Sequence, residues 1–415
     1  MREENSGRFP ARKATSSRPN YTAIANSRLY TRDFVLLCGS HFLFAGSFTM
    51  MLAELPFYLS NMGGEAYKGL IIALFTLMAA VSRPFSGKLA DTVGRIPVMV
   101  FGTLVCVVCS ALYPLLTTVA GFLWLRFFHG FSTGFKPTAA TAYAADIVPV
   151  HRRGEAMGIL GVSMNAGASI APVFGSFLVG RYGYTPMFYA SSASALLSIL
   201  LLLGMRETLT DKVPFSARLL RLRRSELYDR SAIAPAVIAL TIYFCYGTML
   251  TIIPDQADFL GLSNRGLPLA VLTCASITSR VLAGRISDRY GRVIVLKVAT
   301  VAVTATLLAM FWVDSGTDLL VVTGALGFTI GVSSPAVFAW TIDRAADAHR
   351  GRAMGTLYIA LEVGIGVGAL ASAAWYANDP ANFGRAFVGT AAVAFLGFLY
   401  LQFAYRTVAT DRPSR

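Results

Sequence analysis

Charged residues are scarce in this chain of 415 residues. Only 14% of its residues are Asp, Glu, Lys or Arg, whereas 55% are hydrophobic. A soluble globular protein carries about 25% charged residues, so this composition excludes an ordinary soluble fold. Apolar runs of about 20 residues recur along the chain, and this is the length that an α-helix needs to cross a bilayer.

Common catalytic motifs are absent as well. The sequence has no Gly-Lys-Ser/Thr phosphate loop, no His-Glu-x-x-His motif and no nucleophile elbow between a predicted strand and a helix, which argues against an intramembrane enzyme and against ATP-driven pumping. The five cysteines lie within apolar runs, and Cys106-x-x-Cys109 lacks the second pair that would complete a zinc site. We therefore expect no enzyme activity, no metal and no cofactor.

The formal net charge is +14, and its distribution argues against nucleic-acid binding. Seven Lys or Arg residues lie within residues 1–32 and seven within 206–230, outside the apolar runs. Eleven more lie in or beside the links on one side of the predicted spans, against four on the other side. Because Lys and Arg accumulate on the cytoplasmic side of membrane proteins, this pattern predicts a multi-pass protein of the cell membrane with both termini in the cytoplasm.

Twelve apolar spans are predicted, and all of them are expected to be helical, because backbone groups at membrane depth must be hydrogen-bonded within their own segment. The predicted spans are residues 34–59, 68–88, 96–116, 119–142, 155–179, 184–205, 232–257, 266–285, 293–313, 317–342, 353–376 and 384–406. The predicted units are a cytoplasmic tail (1–32), a six-helix half (33–205), a cytoplasmic linker (206–231), a second six-helix half (232–406) and a cytoplasmic tail (407–415). The linker is basic, and it forms either a short helix on the membrane surface or a solvated connection.

One stretch of the sequence occurs twice. Residues 82–95 recur as residues 279–292, at an offset of 197, with Ser, Arg, Gly, Asp, Gly and Arg at identical places. The same offset relates Gly130, Gly134 and Asp146 to Gly327, Gly331 and Asp343. An internal repeat of this kind indicates two structurally equivalent halves.

The repeated stretch resembles the signature loop of the major facilitator superfamily, G-x-L-x-D-x-x-G-R. The resemblance extends over about residues 33–406. It implies an all-α membrane protein of two pseudo-symmetric six-helix bundles, which moves a small-molecule substrate by alternating access. We expect a monomer whose surroundings are the lipid bilayer.

The signature loops are expected to act as a latch. Their first glycine lets a neighbouring helix approach, and their aspartate attracts or caps the positive N-terminus of an adjacent helix. The arginines form charge pairs across the cytoplasmic face, and the resemblance implies that these contacts hold one access state and release in the other. Alternatively, the charges only keep the loop in the cytoplasm. The residues concerned are Gly87, Asp91, Gly94, Arg95, Arg153, Gly284, Asp288, Gly291, Arg292 and Arg350.

The fourth span carries Arg126, His129 and Lys136, and ionisable side chains at this depth tend to line a polar cavity. We interpret these three residues as substrate-binding, together with His41 in the first span. Their twins in the tenth span are uncharged. The resemblance implies proton coupling for an arginine at the place of Arg126. Alternatively, the long side chain of Lys136 extends to the lipid headgroups on the cytoplasmic side, and His41 is a packing residue.

Three acidic residues are candidates for proton coupling. Glu362 lies near the middle of the eleventh span, where it either exchanges a proton or forms a buried ion pair with a neighbouring Arg or Lys. Glu54 and Asp255, near the outer ends of spans one and seven, form an outer gate or proton relay, or are solvated at the interface. Arg83 and Arg280 match between the halves near the cytoplasmic ends, which favours a structural or gating role over substrate contact.

The fifth span contains Gly167, Pro172 and Gly175 in a pattern that resembles the family's antiporter motif, with Ala171 and Ser176 in place of two glycines. Small residues and a proline let spans of the two halves pack tightly and bend. The resemblance implies export by antiport.

These expectations combine into proton-driven export of a small molecule, with the proton gradient as the energy source. Because Arg126 and Lys136 would make one wall of the site cationic, an anionic metabolite such as a siderophore-like or metallophore-like compound is favoured over a cationic drug. The alternative is proton-coupled uptake of a sugar or an organic acid.

Overall fold

The protein is helical throughout the part that the computed structural model describes, which is residues 29–149, 152–210, 212–221, 228–345 and 350–404. The first half contains α1 (Arg32–Met50), α2 (Leu55–Asn61), α3 (Lys68–Thr92), α4 (Arg95–Leu112), α5 (Val119–His129), α6 (Phe131–Ile147), α7 (Arg153–Tyr182) and α8 (Tyr184–Leu203). The second half contains α9 (Ile233–Phe259), α10 (Leu267–Tyr290), α11 (Arg292–Ala309), α12 (Gly316–Arg344), α13 (Arg350–Tyr376) and α14 (Phe383–Leu399).

These helices form twelve transmembrane segments, because two segments are each built from a pair of helices. Helices α1 and α2 make one segment of residues 32–61, which is broken before Pro56. Proline lacks a backbone N–H and is best accommodated in the first turn of a helix, which is where Pro56 lies in α2. Helices α5 and α6 meet at Gly130, where a Cβ atom would lie 2.1 Å from the Phe75 carbonyl oxygen of α3. The predicted fold of two six-helix halves is confirmed.

The sequence repeat is preserved in three dimensions. Arg95 Nε lies 3.1 Å from Asp146 Oδ2 in the first half, and Arg292 Nε lies 3.1 Å from Asp343 Oδ2 in the second. We call the end of the bundle with the α3–α4 and α10–α11 junctions the signature end, and the opposite end the far end. Between the halves, α3 packs on α13 and α7 packs on α10. The second segment of each half therefore faces the fifth segment of the other.

The second glycine of each signature loop has a backbone role. Gly94 has φ +136° and Gly291 has φ +89°, a region that residues with a Cβ rarely adopt, and each forms the sharp turn between two helices. The N-terminus of α4 after Gly94 is capped by Glu207, whose carboxylate accepts from Arg95 N and Ile96 N at 3.0 Å. Glu207, and not Asp91, is therefore the cap of α4, and the predicted attraction of Asp91 to a helix N-terminus stays a prediction.

Candidate functional site

An ion pair joins the two halves in the interior of the bundle. The guanidinium of Arg83 on α3 contacts the carboxylate of Glu362 on α13, and only 11% and 7% of these side chains are exposed. The guanidinium also lies 4.5 Å from the ring centroid of Tyr358. Arg83 is nine residues from the end of α3, or about 13 Å deep by helix rise. Of the two roles predicted for Glu362, the structure shows the buried ion pair.

Aromatic and polar side chains of the second half surround this pair. Tyr243 Oη lies 3.2 Å from Ser334 Oγ, and the rings of Phe338 and Tyr358 meet edge to face at 5.4 Å. The rings of Tyr243 and Tyr246 meet edge to face at 6.4 Å, and Arg280 of α10 is the equivalent of Arg83 in the sequence repeat. We define the central site as Arg83, Tyr243, Tyr246, Arg280, Ser334, Tyr358 and Glu362.

Sequence reasoning missed the tyrosines of the central site. Tyr243 and Tyr246 are three residues apart in α9 and so lie on one face of that helix. That spacing is a weak signal, because aromatic residues are common in membrane helices. Arg83 and Arg280 lie deeper than predicted, about ten residues from the ends of α3 and α10.

A small cavity of about 20 Å³, room for about one water molecule, adjoins the central site at Tyr246. It lies between the halves, which each contribute lining residues. The first half contributes Thr49, Leu52, Ala168 and Pro172, and the second contributes Tyr246, Leu250, Leu269, Leu272 and Thr273. Binding sites for organic molecules have about 300–1,000 Å³, so the halves are closed around this point in the structure.

Two ion pairs close the far end of the bundle. Glu54 of the first half lies 3.2 Å from Arg265 of the second, and Lys68 of the first half lies 2.7 Å from Asp255 of the second. Glu54 is only 1% exposed, which corrects the alternative of a solvated interfacial carboxylate. Glu54 and Asp255 do not pair with each other, because each is bound to a cation of the opposite half.

Further contacts seal this end. The ring of Phe57 lies between the two cations, 3.7 Å from the Arg265 guanidinium and 5.7 Å from Lys68 Nζ. Ser176, which departs from the antiporter motif, donates to Glu54 at 2.6 Å. A Cβ at Gly266 would lie 2.2 Å from the Pro172 carbonyl oxygen, so the two halves touch through backbone here. The motif glycines Gly167 and Gly175 do not take part in this contact between the halves. They pack on the first segment of their own half.

We expect Asp255→Asn to open the far end. The amide leaves buried Lys68 with only the exposed Glu65, at 3.9 Å, and removing the partner of a buried pair costs about 3–5 kcal/mol. Spin labels at the exposed pair Thr117→Cys and Asp314→Cys, with the native cysteines replaced, report the separation of the halves by pulsed electron resonance. The population at longer distance is expected to rise at least about tenfold.

The charge-swapped pair Lys68→Asp with Asp255→Lys is the matched control, because it keeps one cation and one anion at this contact. It is expected to restore the shorter distance. An unchanged distance distribution in Asp255→Asn contradicts the role of this pair in closing the far end.

The signature end has a different pattern of charges. Arg95 pairs with Asp91 at 2.7 Å as well as with Asp146, all within the first half. Arg153 Nε donates to the Ala145 carbonyl at 3.0 Å, again within the first half. The arginine pairs described at this end each lie within one half, and the predicted latch between access states stays a prediction. The described part of the structure does not include the surroundings of Gly284 or the side chains of Asp288 and Arg350. The roles predicted for these three residues stay predictions.

Two glycine positions refine the picture of this end. At Gly87 a Cβ would make an ordinary contact of 3.9 Å with Thr138, so the predicted close approach is not at this glycine. It is at Gly134, where a Cβ would lie 1.8 Å from Ser82 Oγ. In α7 and α13, a Cβ at Gly158, Gly161 or Gly355 would meet nothing within 4 Å.

The charged residues of the fourth segment do not belong to the central site. Lys136 is fully buried, and its Nζ donates to Ser40 O and Oγ at 2.8 Å and to Ser198 Oγ at 2.5 Å. These acceptors lie on α1 and α8 of the same half. Arg126 is also fully buried, and its Nε donates to the Ile71 carbonyl of α3 at 2.9 Å.

The two histidines belong to this interior as well. His129 lies between Tyr113 Oη and Cys106 Sγ, both at 3.2 Å, and these partners are on the first half. His41 is buried beside Ser40 on α1. The side-chain partners found for Arg126, His129 and Lys136 thus lie within the first half. The substrate-binding role of Arg126, His129, Lys136 and His41 stays a prediction. The helical wheel placed His129 and Lys136 on nearly one face but did not show which neighbours they meet.

Comparison with known proteins identifies the family. The sequence pattern described as "Major Facilitator Superfamily" matches residues 37–325 and 236–415, which is most of the chain. The chain belongs to the major facilitator superfamily. Similar superfamily members include the "Multidrug resistance protein MdtG" of Klebsiella pneumoniae (strain 342), 27% identical over 392 residues that make up 90% of this chain and 94% of the relative. The protein of that name from Salmonella paratyphi C (strain RKS4594) is 27% identical over 86% of this chain and 92% of its own length.

Solved structures of other superfamily members share the fold. The human organic anion transporter MFSD10 (TETRAN) has a TM-score of 0.70 and 20% identity, over 89% of this chain and 99% of that chain. A POT family transporter in complex with a thioalcohol conjugated peptide has a TM-score of 0.76 and 13% identity, over 89% and 95%. At these identities the likeness concerns the superfamily fold alone.

Proposed function

We propose that this superfamily transporter exports small organic molecules from the cytoplasm in exchange for protons. The relatives named as multidrug resistance proteins support drug-like substrates. The mainly apolar lining between the halves, beside the tyrosines of the central site, supports the same kind of molecule. One chain contains both halves of the site, so a monomer in the bilayer is the transporting unit. The proton gradient supplies the energy, without a cofactor.

The signature end is the cytoplasmic end in this proposal, and both termini lie on that side. The excess of Lys and Arg in the links at this end supports the orientation. The far end, closed by the Glu54–Arg265 and Lys68–Asp255 pairs, then faces outward. A transporter closed to the outside is in the state that loads its substrate from the cytoplasm.

The observation that carries the proposal is the Arg83–Glu362 pair across the two halves. As a carboxylate, Glu362 neutralises Arg83 and holds α13 against α3. Once protonated, it no longer neutralises Arg83, and the halves are free to rearrange. Proton binding and the change of access are thereby linked at one contact. Export follows when protons load from the outside and leave to the cytoplasm.

The direction of proton movement tests this function. In inside-out vesicles with an acidified lumen, addition of norfloxacin or 2-naphthoate is expected to raise the lumenal pH, because substrate enters as protons leave. A pH-sensitive acridine dye measures the change, and vesicles without the protein are the control. A further fall in lumenal pH would instead indicate proton-coupled uptake in the cell, the alternative considered from the sequence.

A further inference from the structure

The two-fold repeat of the chain relates the central ion pair to a second position. The offset of 197 residues places Arg280 at the equivalent of Arg83, and Asn165 at the equivalent of Glu362. Helix α10, with Arg280, packs on α7, with Asn165, as α3 packs on α13. The counterpart of the Arg83–Glu362 pair thus has a neutral amide in place of the carboxylate.

Arg280 carries a charge that the described part of the protein does not neutralise. Its Nε is buried without an acceptor, and Arg280 has neither a hydrogen bond nor an ion pair among the described residues. The amide of Asn165 is engaged elsewhere, since its Nδ2 donates to the Gly161 carbonyl of its own helix at 2.8 Å. An arginine at membrane depth is costly unless it has a partner, and such residues mark substrate or ion pathways.

The face of α10 that carries Arg280 borders the space between the halves. Thr273, seven residues earlier and therefore on the same face, lines the small cavity between them. Arg280 therefore lies on the side of α10 that is turned toward the first half.

We propose that Arg280 binds the carboxylate of the substrate, and that the substrates are organic acids. This names the substrate class of the proposed function and rests on it. The substrate supplies the negative charge that Asn165 lacks, and its carboxylate forms the second ion pair of the site. Guanidinium and carboxylate form paired, charge-assisted hydrogen bonds, which are stronger than those of neutral groups. The preference for anionic substrates, which the sequence attributed to Arg126 and Lys136, is thereby attributed to Arg280.

Binding to purified protein tests the assignment without transport. The probes are 2-naphthoate and 2-naphthamide, which have nearly the same shape and differ in charge. By titration calorimetry in detergent, the wild type is expected to bind the acid at least about tenfold more tightly than the amide. Arg280→Gln is expected to abolish this preference, and Arg280→Lys to keep part of it.

Asn165→Asp provides an independent test, because it leaves Arg280 in place. The new carboxylate repeats the Arg83–Glu362 arrangement and neutralises Arg280, so the preference for naphthoate is expected to disappear. Arg289→Gln, at the signature end of the same helix, is the matched control and keeps the preference. This pair of variants decides the question even where Arg280→Gln does not fold.

The outcomes separate this inference from the proposed function. Equal binding of acid and amide by the wild type, or a preference that survives both Arg280→Gln and Asn165→Asp, overturns the role of Arg280. If the substrates are neutral molecules, that binding result leaves the proton exchange measured in vesicles, and with it the proposed function, intact. Preferential binding of naphthoate without any proton exchange supports Arg280 and overturns antiport instead.

Discussion

Glu362→Gln is expected to abolish transport driven by a proton gradient while the protein stays folded. Glutamine resembles the protonated acid in shape but neither binds nor releases a proton. It also leaves Arg83 without its anion, and loss of one partner of a buried pair costs about 3–5 kcal/mol. Because each 1.4 kcal/mol is a factor of ten, the state with paired Arg83 and Glu362 loses on the order of 100-fold in population.

The measurement compares two modes of transport in proteoliposomes. Gradient-driven accumulation is expected to fall about 100-fold or more, whereas exchange of labelled for unlabelled substrate at equal pH continues, since that exchange needs no net proton movement. Glu362→Asp, which keeps the carboxylate, is the matched control and retains part of the driven flux. Wild-type accumulation by Glu362→Gln contradicts the coupling role.

Gly175→Ala is expected to be the most damaging small substitution for folding. An added Cβ would lie 2.0 Å from the Met50 carbonyl oxygen and 2.9 Å from its carbon, and these backbone atoms have little freedom to move. Overpacking of this kind costs about 1–3 kcal/mol or more. The result is a large fall in detergent-extracted monodisperse protein and in its thermal unfolding midpoint.

The control lies on the same helix. Gly158→Ala adds the same atom to α7 where nothing lies within 4 Å, and alanine is the better helix former by about 1 kcal/mol. This variant is expected to unfold at the wild-type temperature or slightly above. Equal unfolding midpoints for the two variants would show that close packing on α1 is not what requires Gly175.

The internal repeat predicted the fold well because it is a global property of the chain. Residues that match at the offset of 197 make matching contacts, as the Arg95–Asp146 and Arg292–Asp343 distances show. The positive-φ turns at Gly94 and Gly291 follow the same symmetry. Segment lengths and glycine turns depend on residues that are close together in the chain, so they can be predicted directly from the sequence.

The partners of the charged residues were harder to predict. Arg83 and Glu362 are 279 residues apart, and no local pattern connects them. A helical wheel placed His129 and Lys136 on nearly one face, yet Lys136 donates to α1 and α8, whereas His129 contacts Cys106 of α4 and Tyr113. Only the packing of complete helices decides which charges meet in a membrane.

The buried Lys136 has a consequence for how the protein is made. Helix α6 leaves the ribosome well before α8, which carries the Ser198 hydroxyl that accepts from Lys136. Until α8 has entered the bilayer, the ammonium group lacks one of its acceptors at a depth where charge is costly. The first six segments therefore mature as one biosynthetic unit, which is complete only when its last helix has been inserted.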